Sequence, residues 1–178
     1  AVLNYSLNHF INEKFSIMTW GKGYRRGFLL ENKIDFTKMQ FSEDFVFTFK
    51  CLCLAKRYVL IPHVTNIHRV GITSASHAKF DSLEKGVRLW LKILLPKVAI
   101  LNEFMNGLEF FKLNPDKQRA ALEHSIKAEF SMMKNFFANT KPHEVQKIFF
   151  DELQNPELNQ TGKNLVAAYL YTERALKG

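Results

Sequence analysis

The sequence is poor in cysteine and lacks any long hydrophobic run. Its two cysteines, Cys51 and Cys53, are too close in sequence to build a disulfide framework, so we expect a reducing compartment. No apolar run reaches the roughly 18 residues that a membrane-spanning helix requires, and the first residues lack the basic segment of a signal peptide. We therefore expect a cytoplasmic protein that can also lie at the inner face of the membrane.

Several motifs of metal and nucleotide sites are also missing. The aspartates, at positions 35, 44, 81, 116 and 151, form no Asp-x-Asp metal clamp. Gly21, Gly23 and Gly27 approach a dinucleotide fingerprint, but the third glycine comes one residue late. A phosphate-binding Gly-x-x-x-x-Gly-Lys loop does not occur, and Cys51-x-Cys53 has no second pair of metal ligands. We therefore expect that this chain binds no metal and no cofactor.

Aromatic residues and positive charge are abundant instead. Of the 178 residues 47% are hydrophobic, and 17 are phenylalanine, which favours a folded chain over a disordered one. Lys and Arg outnumber Asp and Glu by 25 to 17, and residues 1–80 hold eleven of these basic residues against five acidic ones. A basic region indicates an anionic partner, which composition leaves open among a phosphate-bearing ligand, nucleic acid and a lipid surface.

The pattern of apolar residues changes near residue 80. Before it, we predict helices and short β-type segments: a helix in residues 1–15, a β-type run at 15–20, a helical turn in 24–33, a helix from Ser42 to about Lys56, and two short strands in 57–70. The hydroxyl of Ser42 is predicted to cap its helix. The predicted fold class is therefore α/β for residues 1–80, followed by a mainly α-helical extension over residues 81–178.

The extension shows helical periodicity throughout. We predict helices near residues 81–113, 115–138, 142–154 and 161–177, with Pro96 kinking or splitting the first. The run WLKILLPKVAIL, residues 90–101, suits either an interfacial membrane helix or a helix that faces the core. The near-neutral charge of the extension favours the core.

Three groups of residues in the first 80 could carry chemistry. Aromatic and cationic side chains, which stack on sugars and bind phosphates, surround a glycine-rich turn: Trp20, Lys22, Tyr24, Arg25 and Arg26. Glu43 and Asp44 follow at a helix start, where they either act as a general base or simply complement the helix dipole. His68 and Arg69, at the end of a predicted strand, suit a phosphate or substrate contact.

The order of these residues resembles the second half of a family 2 glycosyltransferase. The pattern W-x-K-x-Y-R-R-x-F-L-x-E-N-x-I-x-F is followed by E-D-F-x-F, by H-R and by Ser-x-Ser, within residues 15–77. The resemblance implies a GT-A type α/β fold, in which the first half binds a nucleotide sugar and a divalent metal (Mg or Mn). That half is not in this sequence. We therefore expect a C-terminal, acceptor-side fragment that is inactive alone.

The resemblance also implies roles for individual residues. Asp44 would deprotonate an acceptor hydroxyl for inverting attack on the anomeric carbon, and Glu43 would shape the site. Trp20 and the turn from Lys22 to Arg26 would line the floor of the active site. His68 and Arg69 correspond to a tyrosine–arginine position near the donor diphosphate, with His in place of Tyr. The implied partners are a nucleotide-sugar donor and a glycan or lipid-linked acceptor, as in surface polysaccharide synthesis.

Two other functions remain open from the sequence. The first alternative is a non-catalytic helical interaction domain. The second is a basic nucleic-acid-binding module, ranked third because Glu43 and Asp44 would repel a phosphate backbone. Unpaired strand edges would also favour self-association, and contact with a membrane is a further expectation.

Overall fold

Helices form all the regular structure in the described part of the chain. The structure is a computed structural model that describes residues 2–39, 41–59, 61–63, 67 and 81–177. Its helices are α1 (Val2–Ile11), α2 (Arg26–Glu31), α3 (Glu43–Leu54), α4 (Leu83–Asn106), α5 (Glu109–Leu113), α6 (Pro115–Phe136), α7 (Pro142–Leu153) and α8 (Gln160–Lys177). The chain divides into two compact units, residues 1–79 and 80–178.

The prediction of an α/β portion in residues 1–80 is wrong, because the described ranges contain no β-strand. The apolar run 15–20 has irregular backbone and ends in a turn at Gly21, where φ is 75°. A strand needs a neighbouring strand to pair its backbone groups, and the described neighbours are helices, which pair theirs internally. Residues 57–59, 61–63 and 67 are not strands, and the rest of the predicted strand pair lies outside the described residues.

Helix α3 supplies most of the core of the first unit. It begins directly after Ser42, as predicted, and eight of its twelve residues are buried. From α1, Phe10 packs edge-on against Phe45 and Phe49, with ring centroids 5.7 and 5.1 Å apart.

The predicted Ser42 cap is wrong: Ser42 adopts φ 62° and its side chain makes no capping hydrogen bond. In that left-handed conformation the hydroxyl does not reach the free backbone N–H groups of the first turn.

Helices α1 and α2 end in the same kind of left-handed turn. After α1, Glu13 has φ 58° and donates its N–H to the Phe10 carbonyl at 3.0 Å. After α2, Lys33 has φ 51°, and the next residue, Ile34, donates to the Leu29 carbonyl at 2.9 Å. These bonds pair carbonyls that a helix end leaves free. The second turn also carries Ile34 into the core, where Leu29 packs against its cluster.

Helix α4 is the central element of the second unit, since each of α5, α6, α7 and α8 contacts it. Its apolar residues recur three or four positions apart and are buried: Val87, Trp90, Leu91, Leu94, Leu95, Val98, Leu101 and Met105. The helices predicted near 115–138, 142–154 and 161–177 are confirmed. The helix predicted at 81–113 ends earlier, at Asn106, with α5 after it, and it is not split at Pro96.

The structure favours the core interpretation of residues 90–101. Trp90, Leu94 and Leu95 in this run are buried within the second unit. In the described part of the chain, no helix combines the length and the apolar character needed to cross a membrane.

A buried ion pair joins α4 to α6. Lys97 donates a hydrogen bond from Nζ to Glu129 Oε1, and the two side chains are 0% and 3% exposed. Charges removed from water are costly unless they are paired, so each of these groups depends on the other.

A close backbone contact joins α8 to α4. A Cβ atom placed on Gly162 would lie 2.2 Å from the carbonyl oxygen of Leu95, inside van der Waals contact. The N–H of Gly162 donates to Asn159 Oδ1 at 2.8 Å, which caps the start of α8. Glycine at this position therefore sets how closely the first turn of α8 approaches α4.

We predict that Gly162→Ala destabilises the second unit by about 1–3 kcal/mol, because two backbones would have to move apart. On a solvent-exposed helix surface the same substitution would raise the free energy of unfolding. Whether Gly162→Ala lowers or raises that free energy therefore tests the close contact with Leu95. Gly23→Ala is the control, since a Cβ there meets nothing within 4 Å. The measurement is the free energy of unfolding in urea. A stabilised Gly162→Ala variant would contradict the contact.

We predict that Lys97→Met lowers the free energy of unfolding by about 3–5 kcal/mol, because the buried Glu129 would lose the opposite charge of Lys97. The double variant Lys97→Met with Glu129→Met should recover most of that loss, since neither charge remains. Urea unfolding of the two variants and the wild type measures the difference. Equal stability of the single and double variants would show that the pair does not couple.

Candidate functional site

Aromatic packing fixes the glycine-rich turn of residues 21–24 against helix α3. The ring of Phe47, in α3, stacks on Phe36 with centroids 4.3 Å apart and planes 5° apart. Tyr24 meets Phe47 edge-on, with centroids 5.2 Å apart. Phe47 lies one helical turn after Asp44, so the contact with Tyr24 brings the turn alongside the start of α3. The helix start and the cationic turn, which the sequence separates by about twenty residues, therefore lie side by side.

Lys22 and Asp44 are the charged pair of this site. Burial lowers the pKa of Lys22 below its ordinary value of 10.5, while the nearby Asp44 carboxylate raises it in part. The Lys22 ammonium donates a hydrogen bond to the Met18 carbonyl and lies 5.4 Å from the centroid of the Phe15 ring. Asp44 Oδ1 accepts the backbone N–H of Phe45 at 2.7 Å. A half-buried carboxylate thus lies near a partly buried cation, without a direct ion pair between them.

Glu43, the other predicted carboxylate, has a different environment. Its Oε2 atom is buried and accepts no hydrogen bond from the part of the chain that the structure describes. The carboxylate lies in the first turn of α3, where free N–H groups favour negative charge.

The remaining predicted residues of the turn differ in exposure. Trp20 is 52% exposed and lies beside Gly21, and Arg25 and Arg26 are exposed at the start of α2. Tyr24 instead packs into the aromatic cluster, and burial raises the pKa of its hydroxyl. Tyr24 therefore positions the turn, whereas Trp20, Arg25 and Arg26 are largely exposed to solvent.

Two predicted site residues, His68 and Arg69, lie outside the described residues. Of the nine predicted site residues, the structure therefore brings Lys22, Tyr24, Glu43 and Asp44 together around one end of α3, with Trp20 in the adjoining turn.

Side chains that could ligate a metal are not grouped in the described ranges, where no three of His, Cys, Asp or Glu lie close enough to share an ion. Cys51 and Cys53 are both buried in α3, and burial raises the pKa of the Cys51 thiol to about 11, which keeps the thiolate, the metal-binding form, rare.

Sequence reasoning missed the aromatic residues that surround Lys22. Phe15 lies beneath the ammonium of Lys22 and packs against Tyr58 with centroids 6.2 Å apart. Phe47, which links the turn to α3, was also missed. Its position three residues after Asp44 is the one available signal, because residues at this spacing share a helix face. Nothing in the sequence pairs Phe15 with Tyr58, which are 43 positions apart.

Comparison of the chain with models of protein families, with curated proteins and with solved structures gives no match. The resemblance to a family 2 glycosyltransferase therefore depends on the residues quoted above, and it stays a prediction.

Proposed function

We propose that residues 15–77 provide the acceptor side of an inverting glycosyltransferase, with Asp44 as the general base. The observation that carries the proposal is the half-buried Asp44 carboxylate at the start of α3, one helical turn before Phe47, whose contact with Tyr24 brings the turn with Trp20 and Lys22 alongside. The ordering of Trp20, Lys22, Tyr24 and the Glu43–Asp44 pair supports it. The proposal depends on these side chains and not on a sheet, since the described part of this region is helical.

In the proposed step, Asp44 takes the proton from a hydroxyl of the acceptor. The hydroxyl oxygen attacks the anomeric carbon of the donor sugar, and the bond from that carbon to the diphosphate breaks on the opposite face. A nucleoside diphosphate leaves with the electron pair, and the anomeric configuration inverts. General-base assistance of this kind contributes about 10²- to 10⁴-fold.

The other residues of the site would orient the acceptor. Trp20, which is 52% exposed, would stack against a sugar ring of the acceptor, and Glu43 in the first turn of α3 would shape the site. The exposed Arg25 and Arg26 suit the donor diphosphate or an anionic acceptor. His68 and Arg69 keep the proposed place near the diphosphate.

The nucleotide sugar and its metal, Mg or Mn, would be bound by a donor-binding portion that these 178 residues do not supply. This chain would therefore not transfer sugar alone. We place the reaction in the cytoplasm, on a glycan or lipid-linked acceptor for surface polysaccharide, and the free cysteines agree with a reducing compartment.

A second candidate applies to residues 80–178. Among its described residues, the buried charged side chains Lys97 and Glu129 form an ion pair that joins α4 to α6 within the core. We propose that this unit is a non-catalytic helical support or interaction domain.

Asp44→Asn in the enzyme that joins this chain to its donor-binding portion should lower turnover by about 10²- to 10⁴-fold, because asparagine cannot accept the proton. The measurement is release of nucleoside diphosphate from a panel of UDP-, GDP- and dTDP-sugars, with a membrane extract as the acceptor source. Asp35→Asn is the matched control, since both aspartates accept the next residue's N–H through Oδ1, at 2.7 Å for Asp44 and 2.8 Å for Asp35. Asparagine preserves that bond in each case.

Two results would contradict the proposal. If the wild-type enzyme released no nucleoside diphosphate from any of these donors, the transferase function would be wrong. If Asp44→Asn and Asp35→Asn turned over equally well, Asp44 would not be the base.

A further inference from the structure

Two segments of the first unit carry basic residues and no acidic ones. Residues 14–30 include Lys14, Lys22, Arg25 and Arg26, and residues 45–80 include Lys50, Lys56, Arg57, Arg69 and Lys79. Neither segment contains Asp or Glu. A surface built from both would therefore carry positive charge without internal compensation.

One described residue of each segment is in contact with the other segment. Phe15 of the first packs edge-on against Tyr58 of the second, with ring centroids 6.2 Å apart. The Lys22 ammonium lies 5.4 Å from the centroid of the Phe15 ring and donates a hydrogen bond to the Met18 carbonyl. Residues near 15–22 and near 58 therefore share one face of the first unit.

Apolar side chains on this face are open to solvent. Met18 is 39% exposed, Tyr58 is 45% exposed and Val59 is 84% exposed. Lys56 and Arg57, directly before Tyr58, are exposed as well. We call this group the Tyr58 surface: Met18, Lys56, Arg57, Tyr58 and Val59. It combines an aromatic ring with a polar tip, aliphatic side chains and cations, the composition of interfacial membrane-binding sites.

We propose that the Tyr58 surface binds the anionic face of a lipid bilayer. The charge complementarity is with acidic headgroups, which attract cations that lie near the membrane surface. The exposed Met18, Tyr58 and Val59 side chains would enter the headgroup boundary, where apolar burial adds to the attraction. This occupant explains the aliphatic exposure better than nucleic acid, whose backbone has no apolar region for Val59. A second copy of the chain would present the same positive charge and repel it.

The Tyr58 surface contains none of the residues assigned to sugar transfer. Binding to vesicles can therefore be measured in the 178-residue chain, with no donor and no acceptor. Failure of the transferase assay would leave this inference intact, and failure of vesicle binding would leave the transferase proposal intact.

The experiment is co-sedimentation of the full chain with vesicles of phosphatidylcholine alone and of phosphatidylcholine with phosphatidylglycerol. We expect binding to the anionic vesicles and much weaker binding to the neutral ones. Lys56→Gln with Arg57→Gln should weaken anionic binding about fivefold for each charge, the factor that corresponds to about 1 kcal/mol per basic residue near such a surface. Val59→Asp should weaken it as well.

The matched controls are Lys112→Gln and Leu113→Asp in the second unit, where an exposed cation again precedes an exposed aliphatic residue, 73% exposed at Leu113. These changes should leave vesicle binding unchanged. Far-UV circular dichroism checks that each variant folds, and the Lys56 and Arg57 substitutions decide the question if Val59→Asp does not fold.

Several results would overturn the inference. These are absence of binding to the anionic vesicles, equal binding to neutral and anionic vesicles, and anionic binding that the Lys56 and Arg57 substitutions leave unchanged. Binding of a generic RNA or DNA duplex in place of vesicles would indicate that the basic residues bind nucleic acid instead of lipid.

Discussion

The packing of Phe47 between Tyr24 and Phe36 is the contact on which the candidate site depends. Without it, the glycine-rich turn would have no fixed position on α3, and Lys22 would not be held near Asp44. The stacked and edge-on contacts have centroids 4.3 and 5.2 Å apart, the separations at which aromatic pairs attract. A hydrophobic contact thus positions two charged groups whose mutual attraction alone, in a partly solvated setting, would be weak.

The second unit has a different organisation, because all its other helices contact α4. The approach of Gly162 to the Leu95 carbonyl fixes α8, and the Lys97–Glu129 pair fixes α6. Most apolar residues of 90–101 are buried in this core, so they are not available to a membrane. The exposed apolar residues near basic ones lie in the first unit instead, around Tyr58, which moves the expected membrane contact to a different part of the chain.

The sequence predicted the helices well and the strands badly, for physical reasons. Helix signals are local: acidic residues at the start of α3, proline at the starts of α6 and α7, and a three-to-four spacing along α4. A strand depends on a partner elsewhere, so the apolar run at 15–20 was misjudged. The proximity of Lys22 to Asp44 depends on Phe47, a long-range contact that spacing cannot reveal. The placement of His68 and Arg69 lies outside the described residues.

The most direct test of the account is the pKa of Lys22, followed by NMR on protein with isotope-labelled lysine. Lys22 should titrate below its ordinary value of 10.5, because burial outweighs the attraction of Asp44. In Asp44→Asn the pKa of Lys22 should fall further, since the carboxylate that raises it is gone, while Asp35→Asn should leave it unchanged. A Lys22 pKa that is the same in the wild type and in Asp44→Asn would show that the two groups do not face each other, and the proposed site would then be wrong.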